Sequence, residues 1–233
     1  YSDRMKDYLL GAENTVMKKL KIAVDARTLG SRPSGVGMYL NDFLEQLITY
    51  DEFEWILFTD VKESEYIKRF EARGIKVIEW GKPVYRSAGV YAYFAFIKKE
   101  LKQVRPDIFW EVNSIIPINL GGSFKTLITI HDMFPIQYVS YFKFNLGVTL
   151  RHTDMILYNS EQTKDDTEMY FPKAKKIPSC NAYIISNPLT RYVPPKDENY
   201  FLYVGNMEKR KGVDILVKAY RRYRRNKTSY SCR

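Results

Sequence analysis

The stretch of sequence that decides the fold is residues 20–37, LKIAVDARTLGSRPSGVG. Leu20 to Asp25 is a short apolar run typical of a buried strand, and a loop containing glycines follows it. From Val36 to Tyr50 apolar residues recur every three or four positions, which predicts an amphipathic helix. A strand, a loop and a helix in this order are typical of a parallel sheet covered by helices.

The same alternation continues along the chain and predicts its other elements. We predict an α/β fold with one complete Rossmann-like parallel-sheet domain, because apolar runs and amphipathic stretches keep alternating. Ser160 is the predicted N-cap of the last helix of that domain. Further strands are predicted at residues 54–59, 75–80, 107–112, 126–130, 154–159 and 182–186, and helices at 62–72, 88–104 and 160–170.

A polar, proline-bearing stretch at 187–200 predicts a domain boundary. We divide the chain into 1–16, a linker or upstream fragment, 17–195, the Rossmann-like domain, and 196–233, the start of a second domain. In this last segment we predict a strand at 200–205 and a helix from Gly212 to about Tyr223. One strand and one helix cannot bury a core, so the second domain is expected to be incomplete.

The composition excludes several classes of protein. With 45% hydrophobic and 27% charged residues in a chain of 233, disorder is excluded. Only Cys180 and Cys232 are present, so a disulfide scaffold is excluded and a reducing cytoplasm is the simpler interpretation. We expect a cytoplasmic protein, since neither an apolar run of about 20 residues nor a signal-peptide pattern occurs.

The net charge of +10 is concentrated near the end of the chain. Residues 209–233 hold ten Lys or Arg and one acid, Asp214, so this segment alone carries +9. Its natural partners are phosphate groups or lipid headgroups, which suggests peripheral membrane contact, although a merely solvated segment is the alternative. No groove-reading motif accompanies the charge, so specific nucleic-acid binding is disfavoured.

Gly35 and Gly37 are the first candidate binding residues. They stand between the first strand and the first helix, where backbone N–H groups and the helix dipole can meet an anion or a hydroxyl-rich ligand. The alternative is that both glycines only shape a turn. The third glycine of the dinucleotide fingerprint is missing, which disfavours a nicotinamide dehydrogenase.

His131 and Asp132 follow a buried-looking strand, at the sheet edge where open α/β folds bind ligands. A structural histidine is the alternative. Lys209, Arg210 and Lys211 lie between a predicted strand and helix, and cations at a helix start suggest a phosphate ligand, with solvated side chains as the alternative. Metal-binding and nucleophile signatures are absent from the sequence.

Taken in order, several segments resemble the family 4 retaining glycosyltransferases of GT-B architecture, most closely the mannosyltransferase-like members. The resemblance covers most of residues 20 to 220. The matching segments are IAVDAR at 22–27 with SGVG at 34–37, RPD at 105–107, IHD at 130–132, TDMILYNS at 153–160, ISNP at 185–188, and FLYVGNMEKRKG at 201–212.

The resemblance implies a role for each candidate residue. His131 matches the catalytic-cleft histidine that contacts the transferring sugar, with Asp132 beside it. Gly35 and Gly37 match the loop near the donor diphosphate and the acceptor. The remaining matches concern the donor side. Lys211 matches the lysine that binds the diphosphate, and Arg210 and Gly205 belong to the same implied diphosphate site. Asn206 occupies a position where many members carry a phosphate-binding arginine. No metal and no cofactor other than the nucleotide sugar is implied.

The implied activity is a hexosyltransferase of polysaccharide biosynthesis. It would move a mannose-type or glucose-type hexose from a GDP- or UDP-linked donor to a saccharide or lipid-linked acceptor, with retention. The family's Glu-x7-Glu segment of the donor domain has no counterpart after residue 200, so the chain alone is expected to be inactive. The alternatives are a non-catalytic module that binds an acceptor or a partner chain, and a sugar-nucleotide epimerase-like enzyme.

Overall fold

The computed structural model describes residues 18–31, 33, 35–84, 87–138, 140–182, 201–205, 207 and 211–230. The chain divides into two compact units, residues 1–186 and 187–233. Within the described residues, no helix is both long enough and apolar enough to cross a membrane.

The first unit is a seven-stranded, all-parallel sheet in the order β3-β2-β1-β4-β5-β6-β7, which confirms the predicted Rossmann-like α/β fold. The strands are β1 Leu20–Asp25, β2 Phe53–Thr59, β3 Lys76–Glu79, β4 Ile108–Glu111, β5 Lys125–Ile130, β6 Met155–Tyr158 and β7 Ser179–Asn181. The helices are α1 Gly35–Leu47, α2 Glu65–Ala72, α3 Ser87–Val104, α4 Pro135–Tyr138, α5 Ser140–Leu150 and α6 Glu161–Tyr170, with 3₁₀ turns at Arg27–Leu29 and Pro172–Lys176.

Apolar clusters cover both faces of the sheet at its inner strands. Ala23 of β1 belongs to one apolar cluster, which includes Phe94 of α3 and Leu146 of α5. Its neighbour Val24 belongs to the cluster on the other face, with Leu44 of α1. Successive strand residues point to opposite faces, so burial of both explains why β1 is apolar throughout its middle.

The seventh strand of the sheet was not predicted, and the strand predicted at 182–186 lies almost entirely outside the described residues. The seventh strand is Ser179–Asn181, which pairs with β6 at the sheet edge. Ala182 follows it outside the strand, and 183–186 lie outside the described residues. Ser179 and Cys180 are exposed, so an edge strand of this kind carries no apolar run by which the sequence could mark it.

The second unit departs from prediction in two places. Residues 201–204 form no strand, because a strand needs a hydrogen-bonded neighbour and the described residues of this unit supply none. Its helix, α7, is Val213–Tyr230 and so runs seven residues beyond the predicted end at Tyr223. The basic run from Arg221 to Lys227 therefore lies inside this helix.

Candidate functional site

Polar residues of the first unit meet at the carboxyl edge of the parallel sheet. Asp25 ends β1, Asp60 follows β2, Glu111 ends β4 and His131 follows β5. The strand order reverses between β1 and β4, and open α/β sheets bind ligands outside the strand ends at such a point. The carboxyl edge is therefore the candidate site.

His131 is held from both sides. Its Nε2 lies 2.9 Å from the carbonyl oxygen of Val112, and its own carbonyl accepts a 3.1 Å hydrogen bond from the Thr163 hydroxyl. A carbonyl only accepts, so Nε2 carries the proton and Nδ1 is the acceptor of the neutral ring. Burial lowers the pKa of His131, which favours this neutral form near pH 7.

Tyr39 joins the two segments that the sequence singled out separately. It lies on α1, directly after the glycine loop, and its ring meets the His131 ring edge-on at 4.8 Å. Its hydroxyl donates to the carbonyl of Ala182 at 3.4 Å, and burial raises the pKa of Tyr39 to about 12. The phenol therefore stays protonated. Sequence reasoning counted Tyr39 only as part of the apolar face of a helix.

The two candidate glycines lie in different surroundings. Gly35 is exposed at the first position of α1, and a Cβ there would meet no atom within 4 Å, so a ligand can approach its backbone. Gly37 is buried, and a Cβ there would lie 2.2 Å from the carbonyl oxygen of Thr28. Close packing of α1 on the 3₁₀ turn before it thus requires glycine at 37, independently of any ligand.

Asp132 is exposed beside His131, and its Oδ1 accepts the backbone N–H of Phe134 at 3.2 Å. This is a local turn that leads into α4. Asp132 also borders a cavity of about 400 Å³, together with Met133, Thr163 and Tyr170.

Asp60 organises the carboxyl edge and was missed by sequence reasoning. This buried carboxylate accepts the N–H and the hydroxyl of Ser31 at 3.1 and 2.5 Å, and the backbone N–H groups of Val61 and Val84 at 2.9 and 3.1 Å. A Cβ at Gly30 would lie 2.0 Å from its Oδ1. One side chain therefore fixes three loops, and no local sequence signal distinguishes it from a solvated loop aspartate.

The candidate phosphate residues belong to the second unit. Gly205 is exposed with a φ of +156°, a backbone conformation that favours glycine. Lys211 is exposed two residues before α7, and the carbonyl of Gly212 accepts the N–H of Leu216 at 3.0 Å to open that helix. The cation thus stands next to the positive end of a helix dipole. Asn206 and Arg210 lie outside the described residues.

A second cavity, of about 570 Å³, lies at the opposite edge of the sheet. Lys125 and Asp154, which border it, lie at the amino ends of β5 and β6. His152 also lines this cavity and is exposed. The two histidines of the chain therefore mark opposite edges of the same sheet.

No protein-family model and no curated protein matches the chain. Among solved structures, HepE (Alr3699) of Anabaena in complex with UDP and glucose has 15% identity and a TM-score of 0.49, over 71% of this chain and 44% of that one.

Two further structures are similar to a lesser degree. A glycosyltransferase from Rickettsia africae ESF-5 has 15% identity and a TM-score of 0.44, over 70% of this chain and 42% of that one. MurG of Acinetobacter baumannii has 10% identity and a TM-score of 0.32, over 72% and 69%. The chain spans less than half the length of the first two.

Proposed function

We propose that the chain belongs to a GT-B glycosyltransferase similar to the retaining family 4 enzymes, comprising the acceptor-side domain and the opening of the donor domain. It would serve the transfer of a mannose-type or glucose-type hexose from a GDP- or UDP-linked donor to a saccharide or lipid-linked acceptor. The single observation that carries the proposal is the neutral His131 ring fixed at the carboxyl edge, next to the helix that follows the glycine loop.

A sugar ligand suits these groups chemically. Because Nε2 of His131 is used by Val112, Nδ1 is left to accept a hydrogen bond from a sugar hydroxyl. The exposed backbone of Gly35 at the start of α1 offers N–H groups to the same kind of ligand. Neutral donors and acceptors fit hydroxyl groups without the desolvation cost that ionised side chains carry.

The reaction asks little covalent chemistry of the protein. The acceptor hydroxyl must be aligned with the anomeric carbon, and the charge that builds on the departing diphosphate must be stabilised. In this proposal His131 orients the sugar, and Lys211 with the N-terminus of α7 neutralises the diphosphate. Residues 201–233 hold no Glu-x7-Glu segment, so we expect this 233-residue chain by itself to bind a sugar without transferring it.

Histidine NMR of the 233-residue chain tests the proposed site. Adding nucleotide-linked hexoses or oligosaccharides is expected to shift the ring signals of His131 and to leave those of His152, at the opposite sheet edge, in place. His131→Gln assigns the two signals, because the chain has only two histidines. Signals of His131 that stay fixed with every sugar, or a shift at His152 alone, would contradict the proposal.

We also propose a cytoplasmic protein with peripheral contact to an anionic membrane face through α7. The helix carries exposed Lys218, Arg221 and Arg222, and exposed apolar Ile215 and Tyr220. The chain is expected to sediment with vesicles that contain phosphatidylglycerol, and to a smaller extent as the salt concentration rises. The double variant R221Q/R222Q tests the role of charge and is expected to bind these vesicles less. Equal binding of the chain to phosphatidylglycerol vesicles and to neutral phosphatidylcholine vesicles would refute this contact.

A further inference from the structure

Two buried carboxyl groups at the reversal point of the sheet share one buried cation. Asp25 is 1% exposed and Glu111 is fully buried. Arg27 places Nε 3.2 Å from Oδ2 of Asp25 and Nη2 3.7 Å from Oε1 of Glu111. Among the described residues, the other titratable groups that face this cluster are Tyr93 of α3, a neutral phenol, and Asp60, a further acid. Full ionisation would therefore leave at least one negative charge uncompensated in the interior.

The hydrogen bonds of the cluster also leave carboxyl oxygens without a donor. Oδ1 of Asp25 accepts the Tyr93 hydroxyl at 2.9 Å and the N–H of Arg27 at 3.1 Å. Oε1 of Glu111 accepts the N–H of Asn113 at 2.7 Å. The second oxygen of each carboxyl, Oδ2 of Asp25 and Oε2 of Glu111, is buried and accepts no hydrogen bond. Arg27 Nε forms an ion pair with Oδ2 without hydrogen-bond geometry, and Nη1 of Arg27 is buried without a partner as well. The strand register pairs Asp25 with Glu111, so these two acceptors belong to neighbouring side chains.

We propose that Glu111 carries a proton on Oε2 at neutral pH and donates it to Oδ2 of Asp25, and that this carboxyl pair positions the turn that holds His131. One proton satisfies both acceptors and balances the buried charge. Asp25 is the ionised partner because it already receives two donors and the guanidinium of Arg27. Burial, followed by the charge of Asp25, raises the pKa of Glu111 well above its ordinary value, while Arg27 acts in the opposite direction.

A short turn after β4 connects the carboxyl pair to His131. Glu111 Oε1 fixes the N–H of Asn113, and the preceding carbonyl, that of Val112, receives Nε2–H of His131. The Ser114 hydroxyl donates to the carbonyl of Thr129 at 2.8 Å, and Ser114 has a φ of +68°. The turn is thus held at both ends, with Glu111 as its anchor on β4. Glu111 is a positioning residue, and this role does not depend on sugar transfer.

The proposal predicts how stability changes with pH. In the unfolded chain Glu111 loses its proton near pH 4.3, whereas in the folded chain it keeps the proton to a much higher pH. The stabilisation is therefore complete below about pH 4.3 and is lost as pH rises towards the folded pKa. Within that window folding takes up one proton, so the unfolding constant rises about tenfold per pH unit relative to a side chain that does not titrate.

Urea unfolding of the full 233-residue chain and of its Glu111→Gln variant tests this pH dependence. The glutamine of the variant does not titrate, so the ratio of the two unfolding constants isolates the contribution of Glu111. Above about pH 5 the unfolding constant of the wild type, divided by that of E111Q, is expected to rise about tenfold per unit until the pH reaches the folded-state pKa of Glu111. Glu54→Gln, at an exposed glutamate that pairs with Lys21, is the control for loss of a carboxyl group at the surface.

The position of His131 provides a second measurement. E111Q retains a neutral donor and is expected to keep the His131 ring signals of the wild type, whereas Glu111→Ala is expected to move them. A pH-independent ratio for E111Q would overturn the proposal. So would an E111Q chain that fails to fold, because a neutral amide could then not replace the carboxyl. Unchanged His131 signals in E111A would refute the positioning role.

Discussion

Replacement of Arg27 by methionine is expected to lower the free energy of unfolding by roughly 3–5 kcal/mol, the usual cost of removing one partner of a buried ion pair. Methionine keeps much of the side-chain volume, so the loss reports on charge more than on packing. Arg27 also lies over the rings of Tyr93 and Phe94, at 5.5 and 5.0 Å from their centroids, and its removal forfeits those contacts too.

Urea denaturation of the wild type and of the Arg27→Met variant at one pH measures this loss in the free energy of unfolding. Arg73→Met is the matched control, because Arg73 pairs with Glu45 at the surface, where the two side chains are 40% and 35% exposed. A surface pair of this kind contributes less than about 1 kcal/mol. Equal losses in the two variants would show that burial gives the Arg27 pair no special weight.

Lys211→Ala is expected to reduce the turnover of a transfer-competent protein containing this sequence about a hundredfold. This is the usual effect of losing one group that stabilises charge in a transition state. Lys211 is exposed next to the start of α7, so its removal should leave the fold intact. Steady-state kinetics with a fixed acceptor and a varied nucleotide-sugar donor would show the loss in kcat.

Lys218→Ala is the control for that experiment. Lys218 lies on the same helix and pairs with Asp214 at 3.8 Å, within the helix itself. Its removal is expected to leave kcat close to that of the wild type, because the pair is exposed and contributes little. A near-wild-type rate for Lys211→Ala would remove that lysine from the proposed diphosphate site.

The sequence predicted the sheet well because burial on both faces leaves a visible pattern. β1 was predicted with its observed bounds, Leu20–Asp25, since a buried parallel strand is an apolar run. The N-cap at Ser160 was also confirmed, as its hydroxyl accepts the N–H of Thr163. Both signals are local: a few consecutive residues carry all the information that the element needs.

The missed features depend on residues far apart in the chain. Asp60 is important only because Ser31 and Val84 come to it from two other loops. Tyr39 reaches His131 only after α1 has packed on the sheet. The requirement for glycine at 37 comes from the carbonyl of Thr28 across a helix contact. Neither composition nor spacing reveals such long-range contacts. The sequence therefore identified His131 as a candidate but did not predict the residues around it.

The sheet order has a consequence for how the chain is made. β1 is the first strand among the described residues, yet it lies inside the finished sheet, between β2 and β4. During synthesis β2 emerges soon after it, but the hydrogen bond that Lys21 makes to Asp107 must wait for 86 further residues. Until then one edge of an apolar strand has no neighbour, and such edges pair readily with other chains. The interval between β1 and β4 is therefore the period in which the nascent chain most needs protection from aggregation.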